Sequence, residues 1–254
     1  MTFKVLLVIL IGSCSMAVFG YWRYVETSHE KSSAQVGILR DLSASTPNDC
    51  TRVVGLSKRA LALSDIGSKS TITLMATGSQ STAYEPTMLA QVAVPEIRLV
   101  IEGQRRAEQQ RTALLEDLTQ RCRSTEATNA SPIFQAVKRG VEHLRGIGSP
   151  TDPRYLFVQT DGEETINAQI KKALEKAPGS KSNLPGPIVN DGVRVVFCGA
   201  AETVGVVTGA NNQSRSFSGD RSPQRADRLR EVWAQLFTNP DLISFEPFCT
   251  SSGE

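Results

Sequence analysis

Asp41, Ser43 and Ser45 occupy alternate positions of DLSAS, a carboxylate and two hydroxyls at the end of the apolar run Val36–Leu39. In an extended segment alternate side chains project from one face, so the three can converge on a point just past a strand's end. Open parallel sheets bind their ligands at such points. Oxygen-only donors in a short loop suit a hard cation, Mg2+, Mn2+ or Ca2+. Two further stretches offer small oxygen ligands: residues 125–131, which include Thr128 and Ser131, and Asp161 in the turn Thr160-Asp161-Gly162.

The segments between these residues must position them. Val36–Leu39 reads as the first strand. After it comes a helix that Asn48 or Asp49 can cap, with Val53, Leu56, Ala60 and Leu63 inward. Thr71–Ala76 is a β-rich run closed by Thr77-Gly78-Ser79, and Met88–Val94 is an edge strand stopped by Pro95. Glu96–Cys122 reads as a long helix, apolar at Ile97, Val100 and Ile101 and again at Leu114, Leu115 and Leu118. Its polar middle, Gln104–Arg111, is a solvated face.

Ser131-Pro132 opens the next helix, with Ser131 as N-cap, Pro132 at the first helical position, and Ile133, Val137, Val141 and Leu144 inward. The strand Tyr155–Val158 leads to Asp161. A helix over Glu163–Lys176 carries Ile166, Ile170 and Leu174, with Glu163 and Glu164 supplying negative charge to a helix N-terminus. Val193–Cys198 is the most strand-like run, and Thr203–Arg221 is a Gly-, Ser- and Asn-rich loop. Ser222-Pro223 starts a helix with Ala226, Leu229, Trp233 and Leu236 inward, and Leu242–Phe245 is the last strand. This alternation predicts an α/β fold: a doubly wound, mostly parallel six-stranded sheet with helices on both faces, preceded by an N-terminal hydrophobic helix.

That N-terminal segment, Val5–Trp22, runs for 18 residues without a charge, at the lower edge of membrane-spanning length. It reads as a signal anchor, with a cleaved signal peptide and a lipoprotein acylated at Cys14 as the competing readings. The division is then an anchor or signal over residues 1–24, a polar, Ser-rich linker over 25–35 and one domain over 36–254. All three readings place the domain outside the cytoplasm, periplasmic or at the cell surface. The later cysteines, Cys50, Cys122, Cys198 and Cys249, form an even set suited to disulfides there, with four free buried thiols as the alternative.

Composition excludes several classes. A net charge of +2, with Lys and Arg spread along the chain, gives no basic stripe for nucleic acid. Two histidines and no CxxC pair leave little scope for zinc or histidine catalysis. DLSAS lacks the second carboxylate of a DxD phosphatase loop, and neither a GxSxG elbow with a partner histidine nor a GxxxxGK[ST] loop occurs. The expectation is a binding module, not an enzyme.

DLSAS after one apolar strand and TDG after a second, about 120 residues on, resemble the metal-ion-dependent adhesion site (MIDAS) of the von Willebrand factor A (vWA) family. The likeness spans roughly Val36 to Phe248. It implies that Ser43 and Ser45 give hydroxyl oxygens to a divalent cation, with Asp41 and Asp161 acting directly or through water. ASPIFQAV at 130–137 resembles the family's GTPLxxAL and puts Ser131 in the threonine's place, with Thr128 as the alternative and a plain N-cap as the competing role. An acidic side chain of a protein partner would complete the metal shell. The family's strand order also implies a Cys198–Cys249 pairing, leaving Cys50 with Cys122.

Overall fold

The computed structural model describes residues 33–43, 50–63, 70–77, 86–95, 101–123, 130–200 and 223–246, with side chains of the 101–123 helix from Arg105 onward. Val5–Trp22, Ser45, Asn48, Asp49, Thr128, the Thr203–Arg221 loop and Cys249 lie outside the described residues. No helix among the described residues is long and apolar enough to cross a membrane.

Among the described residues six strands form one sheet: β1 (Gln35–Arg40), β2 (Thr71–Ala76), β3 (Thr87–Ala93), β4 (Arg154–Gln159), β5 (Val193–Cys198) and β6 (Ile243–Glu246). Their order is β3-β2-β1-β4-β5-β6, and every neighbouring pair is parallel except β2 with β3. Each lies within one residue of the strand its sequence predicts. β1 is buried at all six positions, which is why it reads as a continuous apolar run and not as an alternation. The edge strand β3 is mostly exposed, and its ladder slips beside Leu74, leaving Leu89 as an extra, bulged residue.

Among the described residues five α-helices cover the sheet: α1 (Cys50–Leu63), α2 (Ile101–Arg123), α3 (Ile133–Gly146), α4 (Ala168–Leu174) and α5 (Pro223–Gln235). Leu39, Met75, Leu156, Val158 and Phe197 pack with α3, α4 and α5 in one core. Val36, Ile38, Ile72, Leu74 and Phe157 pack with α1 and α2 in another. Alternate residues of β1 thus serve opposite cores, and the fold is the doubly wound α/β arrangement expected. Gly37 lets α3 approach: a Cβ there would stand 2.9 Å from Leu156 Cδ1 and 3.2 Å from Leu144 Cδ1.

The inward residues of α3 and α5 are buried as their spacing predicts. Three expectations need correction. Leu63, the last residue of α1 at the margin of its apolar stripe, is 36% exposed, and Leu61 is buried instead. Leu118 is buried in α2 but Leu114 and Leu115 are only partly so. The helix expected from Glu163 begins at Ala168, where Asn167 caps it by accepting from the amides of Gln169 and Ile170, and Ile166 is left 38% exposed.

A disulfide joins Cys50, at the start of α1, to Cys122, near the end of α2. Cys198 is also disulfide-bonded, and its partner lies outside the described residues. Its strand lies beside β6, as the vWA resemblance implies.

Candidate functional site

β1 and β4 are neighbours in the middle of the sheet, and their ladder runs one residue past β1, with Asp41 N donating to the carbonyl of Gln159, the last residue of β4, at 2.9 Å. From there β1 leads toward α1 on one face and β4 toward α4 on the other. Such a divergence opens a crevice at the carboxyl ends of the strands. Arg40 and Asp41 alternate across it. Arg40 is buried toward α2, its Nη1 donating to Cys122 O at 3.0 Å, while Asp41 turns to the α3 side.

The buried Asp41 carboxylate gathers donors from four chain segments. Oδ1 accepts from Ser43 N at 2.9 Å and from Thr77 Oγ1 at 3.4 Å. Thr160 Oγ1 donates to Oδ2 at 2.9 Å. Ser131 Oγ lies 2.8 Å from Oδ1 and 2.7 Å from Oδ2, so its one proton is shared between them. Thr77 and Thr160 are held in turn, their hydroxyls accepting from Leu42 N and Gly162 N, each at 3.0 Å.

Asp161 follows directly on Thr160. It is half-buried, with Oδ1 accepting from Glu163 N at 3.0 Å. Gly162 makes the turn at φ +86°, and Trp233 Nε1 pins it by donating to its carbonyl at 2.9 Å. Asp41 and Ser131 are therefore in direct contact, Ser43 is bonded to Asp41 through its backbone, and Asp161 rises from the neighbouring strand end. Ser45 and Thr128 lie outside the described residues. Sequence alone does not single out Thr77 or Thr160 as members of this site. The available signals are positional, Thr160 being the first residue of TDG and Thr77 closing the TITLMA strand.

Ser131 is not an N-cap. The cap position of α3 is Pro132, whose ring has no group to make a side-chain cap bond, and the serine hydroxyl is engaged by Asp41. The open amide of Phe134 is met from another loop, donating to Glu164 Oε2 at 2.7 Å. Glu164 Oε1 accepts from Ile166 N at 2.8 Å and Asn167 N at 3.0 Å. Glu163 instead pairs with Arg225. The charge expected at a helix N-terminus is present, but Glu164 places it on α3.

Burial pushes the Glu164 carboxyl above its ordinary 4.5, with the nearby Asp41 charge adding and the three backbone amides opposing. The folded state then holds this proton more tightly than the unfolded chain. The stability so gained is full below the unfolded value and lost as pH rises through the raised folded one. Wild type should lose stability relative to Glu164→Gln in urea unfolding as pH is raised from 4.5 toward neutrality. A constant difference across that range would contradict the assignment.

The donor set, two carboxylates and a group of hydroxyls, is all oxygen and fits a hard cation. Among the described residues no group of three or more His, Cys, Asp or Glu side chains is placed to hold a metal ion, so a cation here would depend on the hydroxyls.

No family model matches the chain, and no curated protein sequence does. Among solved structures it is similar to the pilus adhesin SpaC of Lactobacillus rhamnosus GG in its open conformation, at 11% identity and a TM-score of 0.43 over 86% of this chain. The chain spans 28% of that adhesin's length. It is also similar to BatB of Bacteroides thetaiotaomicron, a conserved hypothetical protein, at 13% identity and a TM-score of 0.44, covering 84% of this chain and 89% of that one. A third likeness is to the VWA domain of SpRpn10, at 9% identity and 0.40, covering 81% and 95%. Likenesses at this level reach no further than overall shape.

Proposed function

We propose that the chain is a vWA-like module, tethered outside the cytoplasm by its N-terminal segment, that binds a protein partner through a divalent cation and carries out no catalysis. One observation carries this: hydroxyls from separate loops, Ser131 and Thr160, converge on the carboxylate of Asp41. Asp41, Ser43, Ser131 and Asp161, with Ser45 from the same DLSAS motif, would hold Mg2+, or Mn2+ or Ca2+ in its stead. The cation supplies an electrophilic point for an incoming Asp or Glu of the partner. The protein's own part is to keep the oxygen donors gathered, Asp41 by ordering the hydroxyls and the Gly162 turn by presenting Asp161. A cavity of about 460 Å³ between Pro132, Phe134 and Ile166 gives a neighbouring partner side chain room beside the crevice.

A second reading is favoured by the same contacts. Protein donors already satisfy both oxygens of Asp41, so the crevice keeps its form without an ion, as a structural envelope component with a vestigial site would. Thermal unfolding separates the two. A ligand at a hundred times its Kd adds about 2.7 kcal/mol, which for a domain of this size is a rise of roughly 5–10 °C. The cation-binding module should show this rise in millimolar Mg2+ or Mn2+ and lose it with EDTA. An unchanged midpoint supports the structural reading.

A further inference from the structure

Ser131-Pro132 is a sequence built to start a helix, yet the serine hydroxyl is spent on Asp41. Something must relieve it of capping and aim it. Both backbone polar groups of Ser131 are held by one residue: its N–H donates to Thr165 Oγ1 at 2.7 Å, and its carbonyl accepts from Thr165 N at 3.2 Å. A serine has a single torsion between backbone and hydroxyl, so fixing the backbone leaves only a rotamer choice. The amide a capping serine would satisfy is taken by Glu164 at Phe134. Glu164 is anchored in its own loop by the amides of Ile166 and Asn167.

We infer that Glu164 and Thr165 are the positioning residues of the cation site: Glu164 caps α3 in place of Ser131, and Thr165 aims the freed Ser131 hydroxyl at Asp41. The loop carrying Asp161 and the loop carrying Ser131 are thereby one unit. Neither Glu164 nor Thr165 needs to touch a cation. This rests on the cation reading for its functional consequence, though not for the contact itself.

The test compares the full chain as wild type, Thr165→Val, Thr165→Ser, Glu164→Ala and Ser131→Ala. Two readouts are used: Mn2+ affinity, and the 13C chemical shift of the Asp41 carboxyl with no cation present. Thr165 is exposed, so its variants should fold as wild type does, checked by circular dichroism and melting. Thr165→Val and Glu164→Ala should weaken Mn2+ binding about tenfold, the usual cost of losing an outer partner of a metal ligand. Thr165→Ser, which keeps the accepting oxygen, should bind as wild type. In the Ser131→Ala background Thr165→Val should add nothing, since the group it aims is gone.

Without a cation, Thr165→Val should move the Asp41 carboxyl shift in the same direction as Ser131→Ala, and Thr165→Ser should not. Wild-type affinity and shift in Thr165→Val would overturn the inference, as would full additivity with Ser131→Ala. A wild type that binds no Mn2+ would overturn the proposed function alone, and the carboxyl shifts would still decide the positioning role.

Discussion

Replacing Cys50 and Cys122 together by serine should lower stability by about 4 kcal/mol, the loss expected when a loop of this length is opened in the unfolded chain. The bond spans 72 residues of sequence, from the start of α1 to the last turn of α2, and the strands β2 and β3 lie between. It also holds Cys122 where its carbonyl accepts from Arg40, the residue directly before Asp41. The native side of the balance therefore suffers as well. Urea unfolding of the double variant against the oxidised wild type measures the loss. A difference under about 1 kcal/mol would mean that the unfolded chain already keeps these two segments close without the bond, through apolar residues such as Leu56 and Leu118.

Asp41→Ala should have two separable effects. The carboxylate is shared by Ser43 N and the hydroxyls of Thr77, Ser131 and Thr160, and its removal leaves buried donors with no acceptor. An orphaned buried donor costs about 1–3 kcal/mol, less where water can enter, so a net loss of about 2–3 kcal/mol without any cation is expected. Ser131→Ala, which removes one donor and leaves the carboxylate three others among the described residues, should cost about 1 kcal/mol. The second effect is on the cation. Whatever rise in melting temperature millimolar Mg2+ or Mn2+ gives the wild type, Asp41→Ala should show none of it. Equal shifts in both proteins would remove Asp41 from the cation site.

The strands and most helices were legible because burial leaves a periodic mark. VRVVFC can be little other than a buried strand, and Ile133, Val137, Val141 and Leu144 fall on one helical face whatever the context. Leu63 misled because a stripe's margin is set by where the helix ends, which spacing alone does not fix. The Glu163 start failed for a physical reason. Residues 160–167 satisfy their polar groups with side chains of the site, Thr160, Asp161 and Glu164, so no helix is needed until Asn167 caps one.

Ser131 shows the limit most clearly. A serine before a proline is the same string whether it caps a helix or serves a crevice, and the choice is made by Glu164, thirty-three residues away. Thr160 and Thr77 are not legible in the sequence, because threonine at a strand end carries no special mark until the strands are placed side by side. Their meaning comes from the order β2-β1-β4, in which both flank Asp41.

The bulge at Leu89 bears on how the protein behaves in company. β3 ends the sheet with TMLAQVA, seven residues without a charge, the kind of margin that recruits a neighbouring chain into a growing ribbon. An added strand needs an unbroken row of outward amides and carbonyls. The extra residue interrupts that row, and the guanidinium of Arg121 occupies the Leu89 carbonyl. A single basic side chain and one surplus residue thus break the row that a second copy of this edge would need in order to pair with it.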